Sequence, residues 1–354
     1  MASTFGHKIK ISLFGQSHGE KLGAVLDGLP AGETVDMEAL KAFLRRRAPG
    51  GELVSARKET DEPHIVSGLF EGKTCGAPLC VLFDNEDTRS NDYDDLRFAP
   101  RPSHADYPAF VKYSGCNDIR GGGHFSARLT APLCAAGGIV MQLLAKKGVL
   151  IGAHLLQVGS IRDTAYDPLH VSSDDFPSAK SFPACSQDAA KKMKALIAGT
   201  QAAGDSIGGI VECAALNLPI GLGEPMFDGI ENRIAQAVFA IPAVRGIEFG
   251  DGFAAATLHG SEHNDGYYMQ NGQVHLASNH AGGVLGGLST GAPLMFRVAF
   301  KPTPSIAQTQ QSVNLKTGEN VALSIKGRHD PCVAVRAVPC VEAATALALM
   351  DWLL

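Results

Sequence analysis

Alternating polar and apolar residues predict the first strands of the chain. Residues 8–14, KIKISLF, alternate as a half-buried strand does, and GAVLDGLPAG from residue 23 indicates a second strand that runs into a Pro/Gly turn. Asp36 is then expected to cap a helix over MEALKAFLRRR, whose apolar residues fall on one face. APGG ends this helix. The pattern predicts a β-hairpin followed by a helix.

Segments of the first half return, in the same order, in the second half. The pairs are GAVLDGLPAGE from residue 23 with GIVECAALNLPIGLGE from residue 209, SGLFEGKTCGAPLCVLF (67–83) with GGLSTGAPLMFRVAF (286–300), and GGHFSARLTAPLC (122–134) with GRHDPCVAVRAVPC (327–340). Because the order is kept, we infer an ancient duplication.

The duplication predicts one domain over 1–354, made of two pseudo-repeated halves at about 1–150 and 205–354. We expect an α+β fold with antiparallel strands, helices on one face of each sheet and a pseudo-twofold axis. The pattern does not decide whether the helices lie inside or outside the pair of sheets. The polar segment near 160–206 predicts a surface excursion.

Composition narrows the class of protein. Apolar residues make up 45% and charged residues 19%, as in a soluble enzyme. We expect no transmembrane helix, because no apolar run approaches about 20 residues, and the start MASTFGHKIKIS lacks a signal-peptide core, so we expect a cytoplasmic location. The eight cysteines show no paired spacing and predict small buried residues in a reducing compartment. A net charge of −5 argues against nucleic acid as a partner.

Loop-borne cations point to an anionic small molecule. They are Arg45, Arg46, Arg47, Arg57, Arg101, Arg128, Lys301 and Arg328. Arginine recognises phosphate and carboxylate in a bidentate manner, so this set predicts a multiply anionic substrate. The alternative for the triple arginine is a solvated helix end.

Three short motifs resemble known sites but lack the structural context those sites need. GQSHG fits the nucleophile elbow of a hydrolase at Ser17, yet a strand rather than a helix follows it. GDGFAA lacks room for the helix that receives a pyrophosphate. His259 and His263 have metal spacing only if helical, which their Gly and Ser neighbours discourage, so we expect no metal.

Four other stretches combine acid/base or cationic groups with turn-forming residues. They are PRPSHADY around His104, RGGGHFSAR with three glycines before a helix expected near Ser126, FKPTPSIAQTQ after Lys301, and KGRHDPC with Asp330. Each alone is typical of a turn. Together with His18 they predict an anion site with acid/base groups that work near neutral pH.

At these residues the sequence resembles the chorismate synthase family. The first, second and third family signatures resemble GQSHGEKLGAVLDGLPAG, GGGHFSARLTAPLCAAGG and GRHDPCVAVRAVPCVEA. RPSHAD, SNHAGGVLGG and KPTPS match in order between them, so the resemblance covers essentially the whole chain.

The resemblance implies a fold and a reaction. The fold is a β-α-β sandwich with a pseudo-twofold, and the assembly is a homotetramer. The reaction eliminates the 3-phosphate and a C6 hydrogen from 5-enolpyruvylshikimate 3-phosphate, which gives chorismate, the last common step towards the aromatic amino acids. It needs reduced FMN (FMNH2), although the overall change is redox-neutral. An alternative from another class is a non-catalytic flavin- or anion-binding protein on the same scaffold.

The resemblance also implies roles for single residues. His18 is expected near the leaving phosphate, and His104 beside the flavin N1/C2 carbonyl. Asp330, with Ser17 as a relay, is expected to keep flavin N5 able to accept the C6 proton. Ser17 is thereby a partner of Asp330 rather than a nucleophile.

The binding residues follow from the same resemblance. Those expected to hold substrate anions are Arg46 or Arg47, Arg128 and Arg328. Those expected to bind flavin are His124, Phe125, Ser126, Ala243, Gly286, Lys301, Pro302, Thr303, Pro304, Ser305 and again Arg328. NADPH enters only as a reductant, through Arg47 if the protein is bifunctional. Glu52 stands near a position where the family often has arginine, which argues against that second activity.

Overall fold

The computed structural model describes residues 3–49, 53, 59–86, 97–325 and 329–354. Arg57, Arg328 and Glu52, named above as candidates, lie outside these residues. The strands are β1 (Thr4–Phe5), β2 (Lys10–Gly15), β3 (Lys21–Asp27), β4 (His64–Ser67), β5 (Leu69–Phe70), β6 (Lys73–Thr74), β7 (Leu79–Asp84), β8 (Leu150–Val158), β9 (Ile161–Arg162), β10 (Gly209–Leu216), β11 (Val244–Phe249), β12 (Tyr267–Gln270), β13 (Gln273–Leu276), β14 (Val284–Leu285), β15 (Leu288–Ser289), β16 (Leu294–Phe300), β17 (Gln310–Val313) and β18 (Asn320–Leu323). The α-helices are α1 (Met37–Arg47), α2 (Asp106–Lys112), α3 (Thr130–Lys146), α4 (Gln187–Ala202), α5 (Ile230–Val238), α6 (Gly260–His263) and α7 (Ala334–Leu353).

The opening elements confirm the prediction from the polar and apolar pattern. Strands β2 and β3 form an antiparallel hairpin, and α1 follows it. Asp36 caps α1, because its Oδ1 accepts hydrogen bonds from the backbone N–H groups of Glu38 and Ala39 at 2.9 and 3.0 Å. The arginines therefore stand in the last turn of α1, where cations oppose the negative end of the helix dipole.

Two five-stranded sheets share the topology of four strands and differ in the fifth, since β1 precedes its neighbour β2 in the chain and β9 follows its neighbour β8. The first has the order β1-β2-β3-β7-β4 and the second the order β11-β16-β10-β8-β9, and the pairings within both are antiparallel. Strand β3 is central in the first sheet and β10 in the second, and these are the strands that the first sequence pair matches. The second pair falls on β7 and β16, which neighbour them.

Helices form the layer between the sheets, which answers the question that the sequence pattern leaves open. Helix α3 packs on β3 and β7, α7 packs on β8 and β10, and the two helices pack on each other. The α+β class and the β-α-β sandwich are thus confirmed. Close approach depends on small residues, because a Cβ added at Gly137 of α3 would lie 2.4 Å from the Cβ of Ala343 on α7.

One helix is more apolar than the sequence analysis expected. The stretch Ala127–Lys146 is long and apolar enough to cross a membrane, by length and composition alone. Small residues such as alanine and glycine hide this in the sequence, because each is only weakly apolar. The helix belongs to the core instead, with 78% of its most apolar window buried inside the protein.

The segment near 160–206 is also less superficial than its polarity predicts. Tyr166 and Val171 pack on Ala214 of β10 and Met295 of β16, as a second apolar cluster on the face of the second sheet opposite α7. Helix α4 buries its apolar side, with Ala189, Met193 and Ile197, and exposes the opposite side. The segment covers a sheet face, because widely spaced apolar residues suffice to anchor a mainly polar chain.

The cysteines are in part as predicted. All eight are free thiols, and Cys134, Cys213, Cys332 and Cys340 are buried. Cys75 and Cys116 are exposed, so the prediction of burial is wrong for those two.

Candidate active site

Loops from both halves of the chain enclose a cavity of about 720 Å³, within the range of small-molecule sites. Most of the residues proposed from the sequence lie on its wall. They are His18, Arg47, His104, His124, Phe125, Ser126, Arg128, Ala243, Lys301, Thr303, Pro304, Ser305 and Asp330. The structure thus brings together segments that are more than 300 residues apart in the chain.

Some proposed residues lie elsewhere. Gly286 stands in the turn between β14 and β15, and Pro302 lies between two wall residues without lining the cavity. Arg46 forms a bidentate ion pair with Glu342 of α7, at 2.6 and 2.8 Å, and does not line the cavity. Of the alternatives Arg46 and Arg47, the structure therefore places only Arg47 at the site. Successive helix residues point about 100° apart, which separates the two side chains.

Arg47 and Arg128 share the carboxylate of Asp61, which lies in the segment after α1. Each donates a hydrogen bond to Asp61, and the Nε of Arg47 also donates to Thr130 Oγ1 at 3.0 Å. Burial raises the pKa of Asp61, but the two guanidinium groups outweigh it and leave its pKa below the usual range. Glu59 adds a second carboxylate, 3.5 Å from Arg128. The cluster holds both arginines rigidly at the cavity wall.

A hydrogen-bonded triplet orients His104. Arg101 donates to both oxygens of Asp106, and His104 Nδ1 lies 2.6 Å from Asp106 Oδ1. Burial raises the pKa of Asp106, yet the hydrogen bonds from Arg101 and His104 hold it well below its usual range. An ionised carboxylate only accepts, so the Nδ1 of His104 carries a proton. The Nε2 edge then faces Gly122 and the cavity.

The glycine run before α3 packs against the predicted catalytic residues. Gly121, Gly122 and Gly123 all have positive φ, at 61°, 87° and 53°. A Cβ added at Gly121 would stand 2.5 Å from Ser17 Oγ and 2.9 Å from the His18 ring. The helix expected near Ser126 begins with a 3-10 turn over Ala127–Leu129, and α3 starts at Thr130. The glycines therefore allow both the turn and the close approach of its backbone to Ser17 and His18.

Two cations on the wall have no acidic partner among the described residues. Lys301 donates to the carbonyl oxygen and hydroxyl of Ser103, at 2.5 and 3.2 Å, and Arg245 is the second residue of strand β11. Burial and the nearby charge of Arg245 lower the pKa of Lys301. Like charges brought together without a carboxylate favour an anionic ligand at this end of the cavity.

His329 and Arg336 complete the wall near Asp330. Arg336 donates to Asp330 Oδ2 at 2.8 Å and to the backbone oxygen of Arg47 at 2.8 Å. Burial, then the positive charge of Arg101, lowers the pKa of His329 to about 4, so its ring is neutral at neutral pH. Its Nε2 is buried without a hydrogen-bond partner among the described residues. That orphaned atom is suited to a polar ligand.

Sequence reasoning missed several residues of this site. Arg245, Arg336 and Asp61 were not proposed, and His329 was seen only as a neighbour of Asp330. KGRHDPC carries a signal for His329, because two adjacent titratable residues before a proline stand in a turn. Arg336 and Asp61 carry no such signal, because Arg336 lies within an apolar helix and Asp61 lies in a segment without hydrophobic periodicity.

Of the expectations about the short motifs, the one that GSEH is not helical is wrong and the one that no helix follows GQSHG is confirmed. GSEH, over Gly260–His263, is helical after all, with His259 at its N-cap. Capping uses the backbone N–H of His259 and the carboxylate of Glu262, at 2.8 Å, which offsets the low helix propensity of Gly and Ser. Strand β3 follows GQSHG, so the helix that a hydrolase elbow requires is replaced by a strand.

The arrangement can bind a polyanion and move protons. Cations surround the cavity on several sides, and His18, His104 and Asp330 stand on the same wall. Groups of this kind can neutralise a departing phosphate and hold a proton taken from carbon.

Comparisons with known proteins agree over nearly the full length. The family model described as chorismate synthase matches residues 9–354. Chorismate synthase of Lancefieldella parvula is 46% identical over 366 residues, covering 100% of this chain and 96% of the relative. That of Korarchaeum cryptofilum is 46% identical, covering 98% and 96%, and that of Thermococcus kodakarensis is 45% identical, covering 99% and 97%.

A solved structure supports the same assignment. A crystal structure of chorismate synthase superposes with a TM-score of 0.75 at 27% identity, over 98% of this chain and 92% of that chain. Sequence and fold agree, and the chain belongs to the chorismate synthase family.

Proposed function

We propose that this protein is a phosphate lyase that converts 5-enolpyruvylshikimate 3-phosphate to chorismate. The observation that carries the proposal is one cavity that holds His18, His104 and Asp330 among several cations. In the reaction the C3–O bond to phosphate breaks and C6 loses a hydrogen. The electron pair of the C6–H bond moves into the new double-bond system, and phosphate leaves with the electrons of the C–O bond. Atoms and electrons balance without a net oxidant.

Reduced FMN fits the residues present. The cavity is large enough for a ligand beside the substrate, and the neutral His329 presents an unpartnered nitrogen. The residues that would hold the flavin are His124, Phe125, Ser126, Ala243 and the segment Lys301–Ser305. Bound there, reduced FMN supplies the electron chemistry that eases C–O cleavage in a redox-neutral reaction.

His18 assists departure of the phosphate. It is 9% exposed and lines the cavity beside Gly121. A hydrogen bond to the phosphate oxygen grows stronger as negative charge develops there, so it lowers the barrier rather than only tightening binding. Arg47 and Arg128 hold the substrate anions, since Asp61 and Glu59 fix their position.

Asp330 and His104 are the side chains that transfer protons in this proposal. Arg336 donates to Asp330 Oδ2 at 2.8 Å, which fixes that carboxylate at the cavity wall, where it can pass on a proton with Ser17 as a relay. His104 presents its Nε2 edge to the cavity, because Asp106 binds the opposite edge. It is therefore placed to donate to or accept from the bound ligands.

NADPH is not favoured as a ligand of Arg47. That guanidinium lines the cavity and is assigned above to a substrate anion, so NADPH would compete with the substrate for the same group. We propose that the flavin is reduced by an external donor in the cytoplasm. Anaerobic NADPH with FMN should leave the flavin absorbance unchanged, and bleaching at the rate of turnover would contradict this.

Self-association accounts for apolar surface on the second half. Phe227, Phe253 and Met226 are 90%, 83% and 81% exposed, and large exposed apolar side chains are typical of association surfaces. We propose a homotetramer. Light scattering on the purified protein should give four times the 37.1 kDa chain mass, and a monomeric mass would contradict it.

Phosphate release tests the activity. Under anaerobic conditions the protein should release phosphate from 5-enolpyruvylshikimate 3-phosphate with reduced FMN and not with oxidised FMN. Turnover in the absence of flavin would contradict the proposal. A folded preparation that binds FMN but never releases phosphate would favour the non-catalytic binding protein.

A further inference from the structure

Three side chains with metal-binding atoms converge outside the active-site cavity. His154 lies on β8, Asp163 follows β9, and Cys185 precedes α4. Their ligand atoms all lie within 4.8 Å of one another. None of the three lines the active-site cavity, and the elimination reaction has no use for them.

The hydrogen bonds of His154 leave one ring nitrogen available. Its Nε2 lies 3.0 Å from Glu212 Oε2, and that oxygen also accepts from the backbone N–H of Tyr166 at 2.8 Å. Since a carboxylate only accepts, Nε2 carries a proton. Burial lowers the pKa of His154, but the carboxylates of Asp163 and Glu212 outweigh it and raise the pKa to about 10, so a metal ion would displace a proton from Nδ1. Nδ1 is buried without a hydrogen-bond partner among the described residues. A histidine that donates one N–H to a carboxylate is the usual arrangement of a metal ligand.

Distances around Nδ1 suit a metal better than a hydrogen bond. Nδ1 and Asp163 Oδ2 are 3.6 Å apart, beyond hydrogen-bond range. Two ligands about 2.0–2.2 Å from a tetrahedral zinc ion stand roughly 3.3–3.6 Å apart. Asp163 is fixed by the backbone N–H groups of Thr164, Ser186 and Cys185, at 2.8, 3.0 and 2.6 Å. The carboxylate is therefore rigid.

The thiol decides which metal the site favours. A thiolate with an imidazole and a carboxylate selects a zinc-like ion over Mg²⁺ or Ca²⁺, which take oxygen ligands. Cys185 is half-buried, which gives an ion an entry path, whereas His154 and Asp163 are fully buried on their side chains. Water or another ligand would take the fourth position.

We propose that His154, Asp163 and Cys185 form a structural site for a zinc-type divalent ion. Binding ties the start of α4 to β8, across the segment that covers the second sheet. The ion adds no step to the elimination reaction. It stabilises the folded chain, since the three ligands are assembled only in the folded state.

Cobalt binding tests the site directly. Co²⁺ added to the metal-free full chain should bind with one ion per chain and produce a near-ultraviolet thiolate-to-cobalt band that Zn²⁺ abolishes. Cys185→Ser should lose the band. Cys75→Ser and Cys116→Ser are matched controls at exposed thiols, and both should keep it. An unchanged band in Cys185→Ser, or no band in the unsubstituted chain, would overturn the proposal and leave only an ion-pair network around His154.

A second measurement needs no variant. Zn²⁺ should slow alkylation of Cys185 by iodoacetamide at least tenfold, as measured by peptide mass spectrometry, and should not slow alkylation of Cys75 or Cys116. It should also raise the unfolding midpoint by a few degrees at a hundredfold excess over Kd. Equal alkylation rates with and without Zn²⁺ would contradict the site.

Discussion

His104 is bound through its Nδ1 to Asp106, with 2.6 Å between the nitrogen and Oδ1. The ring cannot turn without breaking this contact, so its other edge stays directed at the cavity. Arg101 in turn holds Asp106 through both oxygens. The orientation of a proposed acid/base residue thus depends on two side chains, Arg101 in the loop before α2 and Asp106 at the start of α2.

We predict that His104→Ala lowers turnover about 100-fold or more while the fold is retained, because acid/base groups contribute at least that much. Asp106→Asn should lower turnover less and shift the pH–rate profile, since the amide no longer fixes the Nδ1 proton. Anaerobic phosphate release between pH 6 and 9 provides the measurement. His170→Ala, at an exposed histidine, is the control. A His104→Ala protein with unchanged turnover would remove His104 from the mechanism.

Gly121→Ala is predicted to impair the site through a steric clash. The added Cβ would meet Ser17 Oγ at 2.5 Å and the His18 ring at 2.9 Å. Gly148→Ala is the matched control, because Gly148 also has positive φ, of 84°, with nothing within 4 Å of the added atom. Both variants bear the backbone strain of about 1 kcal/mol. Only Gly121→Ala should lose turnover, by about tenfold or more, which corresponds to a rise in the activation free energy of about 1.4 kcal/mol or more. Equal losses in the two variants would show that backbone strain alone matters.

Asp61→Asn should destabilise the protein and weaken substrate binding. The amide leaves Arg47 and Arg128 buried beside each other without their shared charge, and breaking such a pair costs about 3–5 kcal/mol. Urea unfolding at pH 7 measures the loss. Asp188→Asn removes an exposed pair with Lys192 and should change stability by less than about 1 kcal/mol. A similar stability in both variants would contradict the role of Asp61.

The lowered pKa of His329 predicts that the folded protein loses stability in weak acid. Its folded-state pKa of about 4 lies below the value of about 6.5 in an unfolded chain. The unfolded state therefore binds more protons between these values, and stability falls as the pH drops from about 6.5 to about 4. The loss amounts to about 2–3 kcal/mol. Urea unfolding at pH 7 and pH 4.5 should show a smaller loss for His329→Gln than for the unsubstituted chain, and an identical loss would refute the assignment.

Arg245→Ala tests the anion end of the cavity. Losing one charge-assisted hydrogen bond should weaken binding of FMN or substrate about tenfold or more. Fluorescence titration with FMN and the KM for substrate show which of the two ligands is held there. Arg162→Ala, at an exposed arginine, should change neither. No change in both measurements for Arg245→Ala would exclude Arg245 from the site.

Local patterns predicted the elements that depend on near neighbours. Asp36 and the apolar face of MEALKAFLRRR suffice for α1, and the repeated segments predicted paired sheets. The layer order could not be predicted, because it depends on how closely α3 and α7 approach at Gly137 and Ala343. Such contacts join residues far apart in the chain.

The site was predictable where chemistry and turn residues coincide. His18, His104 and Asp330 stand in Gly- or Pro-bounded loops and all line the cavity. Arg46 and Arg47 could not be distinguished, because their destinations depend on Glu342 and Asp61, which lie on other segments. Partner residues of this kind carry no local signal.

Reduced flavin acting without being consumed is the most direct test of the account. In an anaerobic assay with one equivalent of reduced FMN per chain, many equivalents of 5-enolpyruvylshikimate 3-phosphate should yield chorismate and phosphate in a 1:1 ratio, with the flavin still reduced at the end. Oxidation of one flavin per product, or phosphate released without chorismate, would contradict the redox-neutral elimination proposed for this cavity.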